Sequence, residues 1–509
     1  MEGSASKVIQ NTLIRKVHLA HADLSQATQL WDVECIDGRV KRVSPASNSD
    51  VYGALSTDKE LPESPQNEDI DGGGGVLIPS LCHAHIHLDK CFILGQCEPL
   101  TTGSLPEALR VTNKAKATFP QNPDDFFDRA SRLIRESVES GVTCMRAYVE
   151  VDTAVELFCL DGGFLCAKEW AGVCDVQIVG MSFDLPHNLR RRSLIAPPEA
   201  FAQEALYSDA NSASPGRNYE LLVRGISKAG VSVIGSAPWV EPSIPHARKN
   251  ITHILGLAMM HNLHADFHLD YNVDPETEPM VWYVIDQMRE MGWTKSSSTK
   301  CVTLGHATRL GLFTDGEWIK LKDAMKELPL EIVGLPQSDM YMMGRPGATG
   351  VVPLGGRTLD VPRIWHEHGI HVALSVNNVE NAFTPQGSVD PLTLASLGVG
   401  VFQAGTEASW RELLRAVTVS SKSAIGLGDV NNTTTKDIQK SAQEDSELVP
   451  QIGDLADFVI VHEARRWQST VLNPTFDRTT VYRGRIVAQR KAQRWNAATE
   501  ARKVMSSVS

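Results

Sequence analysis

The chain has 509 residues, 42% hydrophobic and 22% charged, which provides for one barrel-sized domain and a smaller one around a sizeable core. Its 61 acidic against 49 basic residues give a formal charge of −12, which repels phosphate backbones and anionic surfaces, so neither nucleic acid nor membrane is expected as a partner. The nine cysteines, odd in number and mostly in apolar runs, read as reduced core thiols; with a polar start and no run of the ~20 apolar residues that span a bilayer, the cytoplasm is the expected location.

Residues 13–43 alternate like strands around an Asp37-Gly38 turn, and 56–67 form a polar, exposed insertion. The Asp71-Gly-Gly-Gly-Gly75 run lacks the Lys-Ser/Thr of a phosphate loop and precedes a strand, so it reads as a hinge. Eight short apolar runs follow at 76–87, 142–151, 173–183, 231–240, 264–271, 301–306, 330–336 and 371–379, separated by helical patterns. One helix is expected over 123–140, with Phe126, Phe127, Ala130, Leu133, Ile134 and Val138 at helical spacing and Gly141 as its stop. Eight strand-helix units predict an α/β fold, a (β/α)8 TIM barrel, whose chemistry lies at the C-terminal strand ends. Residues 457–462 and 480–488, the latter folded about Gly484, return to strand patterns. The expected organisation is a small composite β-sandwich domain from 1–75 with 449–495, a barrel over 76–428, an exposed insertion at 429–448 and a C-terminal tail at 496–509.

On the first of the eight runs His85 and His87 stand two apart, so a strand presents both imidazoles on one face, as neighbouring ligands of a divalent metal must be. His83 shares that spacing and is expected there as a hydrogen-bond partner, a ligand or a base. The fifth run closes Asp266-Phe-His268-Leu-Asp270-Tyr271 and the sixth Leu304-Gly-His306-Ala-Thr308. One such histidine is ordinarily structural, but four at the ends of three strands point to a metal centre. The arginines at 190–192 read as a solvated surface cluster.

With these histidines, Leu88-Asp89, Asp175-Val-Gln-Ile-Val, Gly344-Arg345 and Gly453-Asp454-Leu-Ala-Asp457-Phe-Val, nearly the whole chain resembles the amidohydrolase superfamily and is most similar to its cytosine deaminase branch. The resemblance implies one divalent metal ion, zinc or iron, on His85, His87, His268 and an eighth-strand Asp, with His306 holding the metal-bound water. It also implies a small-molecule substrate whose C–N bond is hydrolysed. No lysine ends the fourth strand, where Gly235-Ser-Ala-Pro238 stands, so one metal is expected and not a lysine-bridged pair. Such a metal with an open position lowers the pKa of bound water to about 7.

The departures bear on the reaction. The eighth-strand Asp falls on Asn377, whose amide can offer an oxygen to a metal but cannot take a proton from water. The glutamate three residues after the fifth-strand histidine falls on Tyr271, a phenol of pKa near 10 that shuttles protons poorly. The third-strand glutamine that reads cytosine falls on Phe183, so cytosine is not the expected substrate. Two readings stand: a working hydrolase whose base has moved to Asp270, Glu150, His83 or His306, and an impaired protein that binds metal or ligand without turnover. All four histidines are present, which favours the first. The expected site then comprises His306, Asp270 and Tyr271 as catalytic residues, His85, His87, His268 and Asn377 at the metal, and Phe183, Tyr148 and Glu150 around the substrate. A scaffold protein would explain the barrel but not its polar strand ends, and the subunit number, a homo-oligomer included, stays open.

Overall fold

The computed structural model describes residues 11–46, 67–179, 205–227, 231–345, 354–427, 447–493 and 495. Phe183, the arginines at 190–192, most of the expected insertion at 429–448 and the tail at 496–509 lie outside the described residues.

β1 (Asn11–Leu19) pairs antiparallel with β2 (Trp31–Ile36), which turns into β3 (Arg39–Pro45) through Asp37 and Gly38 at φ 49° and 77°, the left-handed pair that a two-residue hairpin demands. β4 (Asn67–Asp71) and β5 (Val76–Pro79) each run parallel to β1. The glycine run between them is a packed turn and not the expected hinge: a Cβ on Gly72 would lie 2.2 Å from Val17 Cγ1 and 2.8 Å from the Arg15 carbonyl.

The run expected as one strand over 76–87 divides at Ser80, whose N–H donates to the Asp457 carbonyl. Beyond it β6 (Leu81–His87) opens a second sheet. β6, β7 (Val142–Tyr148), β8 (Asp175–Val179), β9 (Val233–Ser236), β10 (His264–Leu269), β11 (Val302–His306), β12 (Leu330–Gly334) and β13 (Ala373–Leu374) lie side by side in chain order, every pair parallel. Past β13 the chain meets β6 again. Ile86 and Asn377 form a parallel bridge, His87 N–H donates to the Asn377 carbonyl at 2.8 Å, and Asn377 N–H donates to the His85 carbonyl at 3.1 Å. The Ser375 hydroxyl spans the same gap, donating to the His85 carbonyl at 2.6 Å and accepting from its N–H at 3.0 Å.

Every residue of β6, β7, β10 and β11 is buried, as parallel strands covered on both faces require. The helix Pro123–Glu139 packs on the β6–β7 side and buries Phe126, Ala130, Leu133, Ile134 and Val138, and it stops before Gly141, where φ is 110°. Inside the sheet Arg146 and Asp266, both fully buried, pair at 2.8 Å, and the same guanidinium nitrogen donates to Thr303 Oγ1 at 2.9 Å. No helix among the described residues is long and apolar enough to cross a membrane.

β14 (Phe458–Val461), β15 (Arg478–Tyr482) and β16 (Arg485–Arg490) extend the first sheet from β5, so both chain ends share one sheet. Side chains of β15 lock it to the second sheet and its helices: Thr480 donates to the Val138 carbonyl at 2.6 Å and Tyr482 to Asp175 at 2.8 Å. Both Nη atoms of Arg478 bond Asp390 at 2.7 Å, and that carboxylate also caps the helix Pro391–Val401 through the Leu392 N–H. Removing one partner leaves a buried charge unpaired, so Asp390→Ala should lower stability by about 3–5 kcal/mol. Urea denaturation of the full chain checks this, and an unmoved midpoint would count against the bracket.

Candidate metal centre

The strand ends bring the four expected imidazoles together. His85 Nε2 lies 3.1 Å from His268 Nε2, and His87 Nε2 lies 3.2 Å from the same atom. His85, His268 and His306 each offer a ring nitrogen within 4.8 Å of the other two. All four side chains are buried, and burial drives their pKa values down, His306 to about 3, so the rings are neutral and carry lone pairs.

The backbone at these ends is unusual. Asp270, His306, Ala307 and Asn377 all have φ between 48° and 68°, conformations that persist only where the surrounding fold imposes them and that cluster at functional sites. Gly305 makes room for the first imidazole, since a Cβ there would sit 2.8 Å from His85 Nδ1. His83 does not join the cluster. The β6–β7 register shifts between His83 and Ile86, which breaks the two-residue alternation, and His83 Nε2 instead faces Ser137 Oγ at 3.2 Å on the covering helix.

The donor set fits a divalent ion. Two Nε2–Nε2 approaches near 3 Å bring three ring nitrogens together at the spacing that neighbouring ligands of one cation take. The buried Asn377 Oδ1 finds no hydrogen-bond partner among the described residues, while its backbone is bonded to both His85 and His87. Imidazoles with one amide oxygen suit zinc or iron better than calcium or magnesium, which prefer oxygen cages.

The expected proton carriers are placed differently. Asp270, expected as a base, is corrected: its carboxylate accepts from Met280 N at 2.7 Å and Val281 N at 3.1 Å and so is occupied at the start of the helix Val281–Glu290, although burial raises its pKa to about 6. The Tyr271 ring lies against His306, centroids 3.8 Å apart, and burial pushes its pKa well above the ordinary value. A phenol so placed packs and orients; it does not carry protons at neutral pH.

Tyr148 stacks on His85 with centroids 4.0 Å apart and borders a cavity of about 130 Å³. His87, His268, Glu150, Asp152 and Asn218 also line that cavity. A wider groove of about 390 Å³ at Phe313, Trp318 and His368 touches none of the four imidazoles of the cluster. Glu150 is gripped by two buried lysines, Lys90 and Lys116, and Lys116 also pairs with Asp152. Burial opposes ionisation of Glu150, but the two ammonium charges outweigh it and hold the carboxyl well below its usual range. Asp89 accepts from the Glu150 N–H at 2.7 Å and so fixes the backbone that carries this carboxylate.

Sequence reasoning missed Lys90, Lys116 and Asp152, and it missed Asp339. That last carboxylate is fully buried on the helix Pro336–Met342 and meets His306 Nδ1 at 2.8 Å. Its signal was available: Ser338-Asp339 follows the seventh strand end, where the fold places chemistry.

No family model matches the chain. It is 21% identical over 472 residues to a pterin deaminase of Rhizobium rhizogenes, covering 91% of this chain and 89% of that protein. Among solved structures it is similar to the 5-methylcytosine deaminase of Klebsiella pneumoniae liganded with phosphonocytosine, with a TM-score of 0.71 at 20% identity over 95% of this chain and 100% of that one. It is also similar to the N-isopropylammelide isopropylaminohydrolase of Burkholderia multivorans, with a TM-score of 0.64 at 21% identity over 94% and 99% of the two chains. The fold is that of these deaminases and hydrolases, and the resemblance to the cytosine deaminase-like amidohydrolases noted in the sequence extends over nearly the whole chain.

Gly305→Ala should push His85 off its approach to His268 and lower zinc affinity by at least roughly tenfold, the scale on which changes around metal ligands act. Chelator competition measures the affinity; a value equal to that of the parent chain would mean that the glycine is not needed for the close approach.

Proposed function

We propose that the protein is a metal-dependent hydrolase that cleaves a C–N bond of a small molecule, on a closed (β/α)8 barrel flanked by a composite β-sandwich domain from the two chain ends. The observation that carries this reading is the convergence of His85, His87 and His268 through their Nε2 atoms. Those three imidazoles and Asn377 would hold one divalent ion, zinc or iron. Bound there, it would supply activation of water at neutral pH for attack on a carbon that bears nitrogen.

The protein's own residues do the rest. His306 offers a ring nitrogen beside the cluster to take and return a proton, and the Tyr271 ring covers its face. Tyr148 braces His85 from the cavity side. Glu150, kept ionised by its lysines, accepts hydrogen bonds from N–H groups of a bound molecule. The cavity of about 130 Å³ is close to the ~150 Å³ that takes up a benzene ring. We therefore favour a single six-membered ring with an exocyclic or ring C–N bond and N–H groups along one edge. The similar proteins are deaminases and an aminohydrolase, which supports turnover over the reading of a protein that binds without reaction. The nine free cysteines, eight of them buried, fit the cytoplasm.

Elemental analysis of the purified chain should find close to one zinc or iron per chain. On a panel of aminated single-ring and fused-ring heterocycles, product release should appear with a single-ring member and vanish on chelation. His87→Ala should lower kcat/KM by more than about a hundredfold, beyond the 10–100-fold of changes outside the ligand shell. Turnover that persists in the metal-stripped chain would sink the proposal. Asn377→Asp should tighten metal binding by roughly tenfold or more, because a carboxylate adds charge to the cation's partners; unchanged affinity would remove Asn377 from the ligand set.

A further inference from the structure

The eighth strand offers an amide at Asn377 and the fifth a phenol at Tyr271, so neither position can take the proton that attacking water must lose. One carboxylate does reach the imidazole cluster. Asp339 Oδ1 lies 2.8 Å from His306 Nδ1, while its Oδ2 accepts from Thr358 Oγ1 at 2.9 Å and from Leu335 N at 3.2 Å. The Tyr271 ring lies on the face of the same histidine. The short helix therefore holds His306 at its edge, and Tyr271 covers its face.

We propose that Asp339 is the positioning residue of the reaction: it fixes His306 as the Nδ1–H tautomer and leaves Nε2 bare toward the other imidazoles, so that a buried carboxylate acting through His306 replaces the one missing at position 377. This rests on the hydrolase reading above. As the water oxygen bonds to carbon, its proton passes to His306 Nε2 while Asp339 holds the ring at Nδ1; the proton then goes to the leaving nitrogen as the C–N bond breaks. Atoms and charge balance without a further reactant, by the logic of a histidine oriented by a buried acid.

The geometry makes Asp339→Asn a sharp test. Oδ2 already serves two donors, so the single oxygen of an asparagine stays with Thr358 and Leu335 and its NH2 faces His306 Nδ1. That nitrogen must then accept, which moves the ring proton to Nε2. Histidine ¹⁵N NMR of the zinc-loaded full chain, with the His306 signals assigned by their loss in His306→Gln, should show Nδ1–H in the parent and Nε2–H in Asp339→Asn. On the substrate found by the panel, kcat should fall by about a thousandfold or more with KM nearly unchanged, the scale of a wrong tautomer in a histidine-acid pair.

An Nε2–H signal in the parent, as a protonated Asp339 donating to Nδ1 would give, overturns the proposal, and so does a kcat within about tenfold of the parent once the tautomer has flipped. If Asp339→Asn does not fold, the parent spectrum alone still decides the tautomer. If the tautomers are as expected but no substrate turns over, the hydrolase reading fails and the positioning of His306 by Asp339 stands.

Discussion

The structure depends on keeping several neutral imidazoles in contact at the ends of three different strands. Burial removes their charge, and without charge they can approach one another to hydrogen-bond distance. Much of the local backbone exists to permit this. Left-handed residues close β11 and the segment after β13, a glycine clears the space beside His85, and a register shift in β6 turns His83 away from the pair that follows it. Each feature is unfavourable or neutral by itself and is held by the surrounding sheet.

Charge is handled in the opposite way next to this cluster. Lys90, Glu150, Lys116 and Asp152 form a chain of alternating sign whose two carboxylates line the cavity, and Arg146 with Asp266 occupies the sheet interior. Buried ions of this kind add little net stability but cannot be removed singly without leaving an uncompensated charge. The neutral cluster and the paired charges share this small cavity, which His87 and His268 line together with Glu150 and Asp152.

Much of this was legible in the sequence, and the limits follow from physics. The strand-helix alternation, the helix ending at Gly141, both hairpin turns and the four histidines were readable because each rests on local periodicity or on one residue type at a turn. Asn377 and Tyr271 stood out as departures because their neighbours matched a known pattern. What escaped depends on contacts between distant segments. The division at Ser80 comes from pairing with residues near 457, the turn of His83 from register against β7, and the grip on His306 from an acid 33 positions away. The glycine run at 72–75 misled for the same reason: composition suggests freedom, whereas close packing against Val17 demands the missing side chain. Asp270 looked like a free carboxylate only because the two backbone N–H groups it serves lie ten and eleven residues further on.

The bonds between β6 and the stretch around Asn377 carry one more implication. The line where the first and last strands are stitched together passes through the backbones of His85, His87 and Asn377, the same residues proposed to hold the ion. An occupant there would therefore tie the two edges of the sheet to each other as well as serve the chemistry. By mass action, an ion at a thousand times its dissociation constant adds about 4 kcal/mol to the folded state, and here that increment would fall on the seam that resists the sheet's unrolling.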